Sequence, residues 1–279
     1  MNTLKPMGLL ASGRMTDSTL AFVPQLASAL GPIVASSKRL ASRYANTLRM
    51  GCPASSLDAL APCRMIWIQA PAADLGPLLE KLLAAPIVWV GKFVVLLDPD
   101  LDSLELAPLA RAGASVASLT HAPLRQAPFF VAEGEAATLR ALRPIWRETG
   151  HRVVELRPGL KPAYCAGLMA AQSLAAAVAQ SCLDAFRLAG LEQSAAKRLT
   201  ASMVETSVRD QLTHGRRLWI SPGADSRREA THRQLRAVRA ASPELGALLQ
   251  SLLATVLAWN HEPSQWIDSP RTRPPVRSA

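Results

Sequence analysis

Four side chains could move a proton or hold a reacting group: Lys161, His121, Cys165 and Ser173. Lys161 follows Arg157-Pro158-Gly159 and opens a helix-like run, facing an expected cleft between domains. A lysine there can polarise a carbonyl or act as general acid if its pKa falls; equally, it is a solvent-exposed junction residue. His121 closes an apolar run and either relays protons or sits in a loop. Cys165 is a nucleophile only as thiolate and is otherwise a small packing residue. Ser173 offers a hydroxyl or packs within an Ala-rich helix. The remaining histidines, His151, His214, His232 and His261, show no ligand-like grouping, and the four cysteines (Cys52, Cys63, Cys165, Cys182) form no CxxC pair. No metal site and no disulfide framework are expected, and a reducing, cytoplasmic setting fits. Met7–Leu10 is too short for the apolar core of a secretory signal.

None of these residues is a redox centre, so electron transfer would need a bound cofactor. One segment has the form of a place to hold it. Gly8-Leu9-Leu10-Ala11-Ser12-Gly13-Arg14-Met15-Thr16 ends a strand-like run and opens a helix-like one. A helix amino end there would aim free N–H groups at a pyrophosphate. The three positions of a GxGxxG fingerprint read Ala11, Gly13 and Thr16, so only the glycine that lets backbone approach phosphate remains. The next strand ends at Ser36-Ser37-Lys38-Arg39, where an NAD enzyme would carry Asp or Glu. Two hydroxyls followed by two cations suit a 2′-phosphate, hence NADP; Arg39 would fork onto the phosphate or stack on adenine. The alternative is an N-cap serine followed by exposed basic residues.

The elements that must position these groups read clearly. Strand-like runs at Met7–Ala11, Pro32–Ser36, Met65–Ile68, Lys92–Leu97, Ser115–Leu119, Phe129–Ala132 and Arg152–Leu156 alternate with helix-like runs at Met15–Leu30, Lys38–Met50, Leu75–Ala84, Leu104–Ala112 and Glu135–Thr149. That alternation predicts a doubly wound, mostly parallel sheet with crossover helices: an α/β Rossmann domain over 1–158. Beyond it, Ala- and Leu-rich helices at roughly 162–189, 192–214, 226–241 and 243–260 predict an all-α substrate and dimerisation domain over 159–262. A proline- and arginine-containing tail, 263–279, is expected to fray.

Composition narrows the function classes. A hydrophobic fraction of 49% with 19% charged residues is globular. The uncharged stretch Pro162–Leu183 is long enough to span a bilayer, but its many small residues and glutamines favour a helix buried on most sides of a soluble bundle over a membrane span. The net charge of +10 is concentrated in part between Arg209 and Arg239. With no nucleic-acid motif beside it, that stretch reads as a solvated face, and no nucleic-acid partner is expected.

Taken in order, the phosphate turn, the Ser36–Arg39 segment, Ala70-Pro71 with Asp74, His121 with Pro123, FFVAEG, RVVEL and the Lys161-to-Tyr164 segment resemble a bacterial group of Rossmann-like proteins with a C-terminal helical domain. That group is related to pyrroline-5-carboxylate reductase, ketopantoate reductase and 6-phosphogluconate dehydrogenase. The resemblance implies an NADP-dependent oxidoreductase acting on a small carbonyl or imine substrate, with Ala11, Ser12, Gly13, Arg14, Met15, Ser36, Ser37, Lys38, Arg39, Ala70 and Pro71 along the cofactor. It also implies a homodimer through the helical domain. Members carry His where this chain has Cys165, and Asn where it has Ser173. Those departures leave a second expectation open: a catalytically silent nucleotide- or partner-binding protein descended from such an enzyme.

Overall fold

The computed structural model describes residues 6–13, 20, 29–122, 129–214 and 225–259. Two compact units divide the chain, Met1–Leu168 and Met169–Ala279. The division falls beyond the 158/159 boundary read from the sequence: Lys161–Leu168, nearly all of the helix Lys161–Met169, falls in the first unit.

The first unit is built on one eight-stranded sheet in the order β3-β2-β1-β4-β5-β6-β7-β8. Its strands are β1 (Met7–Ala11), β2 (Leu30–Ala35), β3 (Cys52–Ala54), β4 (Met65–Gln69), β5 (Phe93–Leu96), β6 (Ser115–His121), β7 (Phe129–Gly134) and β8 (Arg152–Glu155). β1 and β4 are buried at every position, as a strand covered on both faces must be. The first six strands are mutually parallel. β7 turns back antiparallel to β6, and β8 runs parallel to β7. The sheet is therefore doubly wound and mostly parallel, as expected, with a reversed pair at one side.

Helices α1 (Lys38–Leu48), α2 (Ala72–Ala84), α3 (Ala107–Arg111) and α4 (Ala136–Thr149) cover it. Tyr44 and Leu48 of α1 and Leu139, Leu142 and Trp146 of α4 pack on one face with Leu9, Trp67, Val95 and Phe130. Leu75, Leu79 and Leu82 of α2 and Leu109 of α3 pack on the other with Leu10, Ile68, Leu96 and Val116. Each of these apolar side chains contributes about 1.5–3 kcal/mol on burial. The helix predicted from Met15 lies almost wholly outside the described residues, and Leu30, its predicted last residue, opens β2. The edge strand β3 was not predicted; it carries Pro53, which an edge position tolerates.

Where β6 meets β7 the backbones come unusually close. Gly134 has φ +133°, and a Cβ on it would lie 2.5 Å from the Ala117 Cα, so no other residue fits there.

In the second unit α6 (Ala175–Leu188) packs against α7 (Gln193–His214), and α8 (Asp225–Ala241) against α9 (Pro243–Trp259). Gly246 admits the α8–α9 contact, since a Cβ there would lie 2.8 Å from the Arg239 Cα. α5 (Lys161–Met169) runs through a π-helical turn, Ala170–Leu174, into α6. Among the described residues this run, Lys161–Leu188, is the one helix long and apolar enough to cross a membrane, and only 6% of its most apolar window is buried. The expectation of a helix buried on most sides is therefore corrected: apart from Lys161 and Ser181, its residues are exposed or half-buried among the described residues.

Candidate functional site

In a doubly wound sheet, ligands bind beyond the carboxyl ends of the strands, where the strand order reverses. Here the order reverses between β1 and β4, and the loops at that edge are 12–13, 36–37, 70–71 and 97–102.

The turn after β1 is held from three sides. Ser12 N–H donates to the Gln69 carbonyl (2.8 Å), fastening it to the end of β4. Tyr44, 1% exposed, directs its hydroxyl from α1 at the carbonyls of Ser12 (3.2 Å) and Gly13 (3.3 Å). The Ser12 hydroxyl donates to the carboxylate of Asp74 in the first turn of α2. Gly13 has φ +73°, and a Cβ there would come 3.2 Å from Pro71 Cδ. Glycine is thus required twice, by the left-handed backbone and by the close approach of Pro71. Ala11 is buried, Ser12 half-buried, and Gly13 and Pro71 are exposed, while Ala70 packs inside. Arg14 and Met15, assigned to the same turn, lie outside the described residues.

One strand outward, β2 delivers the chain to the amino end of α1. Ser37 caps that helix, its hydroxyl accepting from Leu40 N–H at 3.2 Å, so the cap reading of this serine holds. Ser36, Ser37, Lys38 and Arg39 are all exposed, and the first turn has no acid. Helix dipole, free amides and two cations together make a site suited to a phosphate. Burial pushes the Tyr44 phenol pKa up, keeping its proton available to the Ser12 and Gly13 carbonyls.

Of the expected catalytic residues, Lys161 and His121 belong to the first unit and Ser173 to the second. His121 ends β6, half-buried, opposite Phe130 of β7. Ser173 is exposed in the π-helical turn and belongs to the second unit. Lys161 does not face open space, contrary to its expected place in a cleft. It is 1% exposed, and its Nζ donates to the Asp98 carbonyl (2.5 Å), the Leu101 carbonyl (2.6 Å) and Ser118 Oγ (3.2 Å). An ammonium has three protons, and three acceptors take them. Burial lowers its pKa, against the opposing pull of Asp98, Cys165, Glu133 and Asp100. Cys165 donates its thiol to the Pro99 carbonyl at 3.4 Å, and burial raises its pKa, so it is a thiol here and no ready nucleophile. No group of three or more His, Cys, Asp or Glu residues placed to hold a metal occurs among the described residues.

Tyr44, Gln69, Ser118 and Glu133 were not singled out from the sequence. Tyr44 alone carried a signal, a polar-tipped aromatic on the apolar stripe of α1 with Ala41 and Leu48.

This architecture, a doubly wound sheet followed by an all-α unit, recurs in solved structures of imine reductases and a reductive aminase. The solved structures it is similar to include an imine reductase from Myxococcus stipitatus in complex with NADP+ (TM-score 0.62, 16% identity, 91% of this chain and 95% of that one). Another is an imine reductase from Aspergillus terreus in complex with NADPH4 and a dibenzazepine (TM-score 0.65, 16% identity, 95% and 99%). A third is a reductive aminase from Aspergillus terreus in complex with NADPH and ethyl levulinate (TM-score 0.61, 14% identity, 94% and 98%). At these identities the likeness is one of fold. No protein-family model and no curated protein matches the sequence.

Proposed function

We propose that this chain binds NADP(H) along the carboxyl edge of its sheet and transfers hydride between the nicotinamide and a small carbonyl or imine substrate. The observation that carries this is the run Ser36-Ser37-Lys38-Arg39 at an acid-free helix amino end, one strand away from a braced glycine turn. The first place suits a 2′-phosphate and the second suits a pyrophosphate. Bound there, the cofactor supplies the hydride; the chain's part is to grip two phosphate groups and keep Gly13 open for backbone approach. Solved structures of the same fold hold NADP+ or NADPH and imine or carbonyl compounds, which supports the same cofactor and substrate class here. The exposed apolar helix Lys161–Leu188 supports pairing of two copies through the helical unit, in place of insertion into a membrane.

A second reading, a nucleotide-binding protein without turnover, is favoured by one observation: the Lys161 ammonium is fully hydrogen-bonded and has no proton to offer a substrate.

Fluorescence titration with NADPH and NADH, followed by an assay with cyclic imines, tests both. Tighter binding of NADPH than NADH, lost on replacing Arg39 with alanine, is expected. Binding of neither nucleotide would sink the proposal; binding without turnover on any imine or carbonyl would leave the silent reading.

A further inference from the structure

Among the described residues of the first unit two lysines are buried, one at each edge of the sheet. Lys92, just before β5, donates to the carbonyls of Ala61 (2.6 Å) and Cys63 (2.7 Å) at the amino edge. Lys161 does the corresponding work at the carboxyl edge, on the loop that follows β5. That loop is closed on itself. Asp98 Oδ1 accepts from the amides of Asp100 and Leu101, both at 2.8 Å, while Lys161 takes the carbonyls of Asp98 and Leu101. Beside it Glu133, 0% exposed, accepts from Ser103 N–H (2.5 Å), Ser103 Oγ (2.8 Å) and Gly159 N–H (3.3 Å). Ser118, the third acceptor of Lys161, sits opposite Glu133 in the β6–β7 register. Buried charges with every hydrogen bond made are costly to disturb and so hold a geometry firmly.

The position of this loop gives the rigidity a use. Neighbouring strands lie about 4.8 Å apart, so three steps across the sheet cover about 14 Å, the reach of an extended dinucleotide. With the 2′-phosphate over the end of β2 and the pyrophosphate over β1, the order β2-β1-β4-β5 puts the other end of the cofactor at the ends of β4 and β5. We infer that Lys161 is a positioning residue: by clamping loop 98–103 it sets the wall against which the reacting ends of cofactor and substrate lie. This rests on the oxidoreductase reading above. Asp100, exposed on that loop, is the charge the wall presents.

The full-length Lys161→Met variant tests it by three measurements. Amide exchange at Asp100 and Leu101 should speed up by about tenfold or more, as expected when a local clamp opens. NADPH affinity should stay within about threefold of wild type, because the phosphate sites are on other loops, while kcat falls by about tenfold or more. Unchanged exchange in a folded variant would show there is no clamp. Faster exchange with kcat unaltered would show that the clamp positions nothing. Ser118→Ala removes one acceptor of three and should reproduce both effects more weakly; it decides the matter should Lys161→Met not fold, and wild-type exchange and kcat in it overturn the proposal. A wild-type protein that neither binds NADPH nor turns over would defeat the oxidoreductase reading and the positioning role together, whereas the exchange comparison would still report on the clamp itself.

Discussion

Ser12 donates its hydroxyl to the carboxylate of Asp74, joining the turn after β1 to the first turn of α2 across a sequence separation of 62. The contact stiffens the phosphate turn but also sets a negative charge beside it. In Asp74→Asn the amide oxygen still accepts from Ser12 while the charge disappears. An exposed charge near a phosphate costs about 0.5–1 kcal/mol at moderate salt, so NADPH should bind about threefold more tightly to this variant. The gain should shrink as salt is raised. Weaker binding would mean that the carboxylate, as a charge, supports the site.

Tyr44→Phe removes a buried hydroxyl and leaves the carbonyls of Ser12 and Gly13 without that donor. The cost in stability should be about 1–2 kcal/mol, read from urea unfolding. NADPH affinity should fall as well, since the turn loses one of its three braces. A variant that is destabilised yet binds NADPH as wild type does would separate Tyr44 from the site.

The lowered pKa of Lys161 makes a prediction about pH. With its folded value below the ordinary 10.5, the unfolded chain binds more protons than the folded one between those two values. Stability therefore rises with pH across that window and is flat below it for this group. The thiols of Cys63 and the half-buried Cys182 and the Tyr44 phenol, whose pKa values are raised by burial, act in the opposite sense at alkaline pH. The contribution of Lys161 is thus the difference between wild type and Lys161→Met. Wild type should gain stability relative to the variant as pH approaches 10.5, measured by urea midpoints; a pH-independent difference would show that Lys161 titrates normally.

Gly134→Ala should abolish folding of the sheet or cost more than about 4 kcal/mol. The new Cβ would meet backbone atoms of Ala117 and Val116, which have nowhere to move, at a φ of +133°. Soluble, cooperative unfolding close to wild type would refute the close approach of β6 and β7.

Much of this architecture could be read from residue order. The apolar runs at Met7–Ala11 and Met65–Gln69, the serine before Lys38 and the glycine after Thr149 each dictate a local structure that tertiary packing then keeps. The reversal at β7 was not read, although its signal is present: the segment between His121 and Phe129 is too short to hold a crossover helix. β3 was missed because three residues with a central proline have no periodicity. The phosphate turn was located by its glycine, yet its braces come from Tyr44, Gln69 and Asp74, distant in sequence. Lys161 was noticed and misplaced for the same reason: two of its acceptors are backbone carbonyls about sixty residues earlier, and a carbonyl leaves no mark in the residue type.

The way Gly159 and Lys161 are fastened also fixes where this protein can be dismantled. A cut made at the proline-glycine step, the obvious seam in the sequence, would strip a lysine from its three acceptors and an amide from the Glu133 carboxylate. Any chimera that grafts a foreign helical half onto this sheet must keep native residues through the first turn of α5, and a fragment ended at 158 would leave the buried Glu133 carboxylate with only its two Ser103 donors.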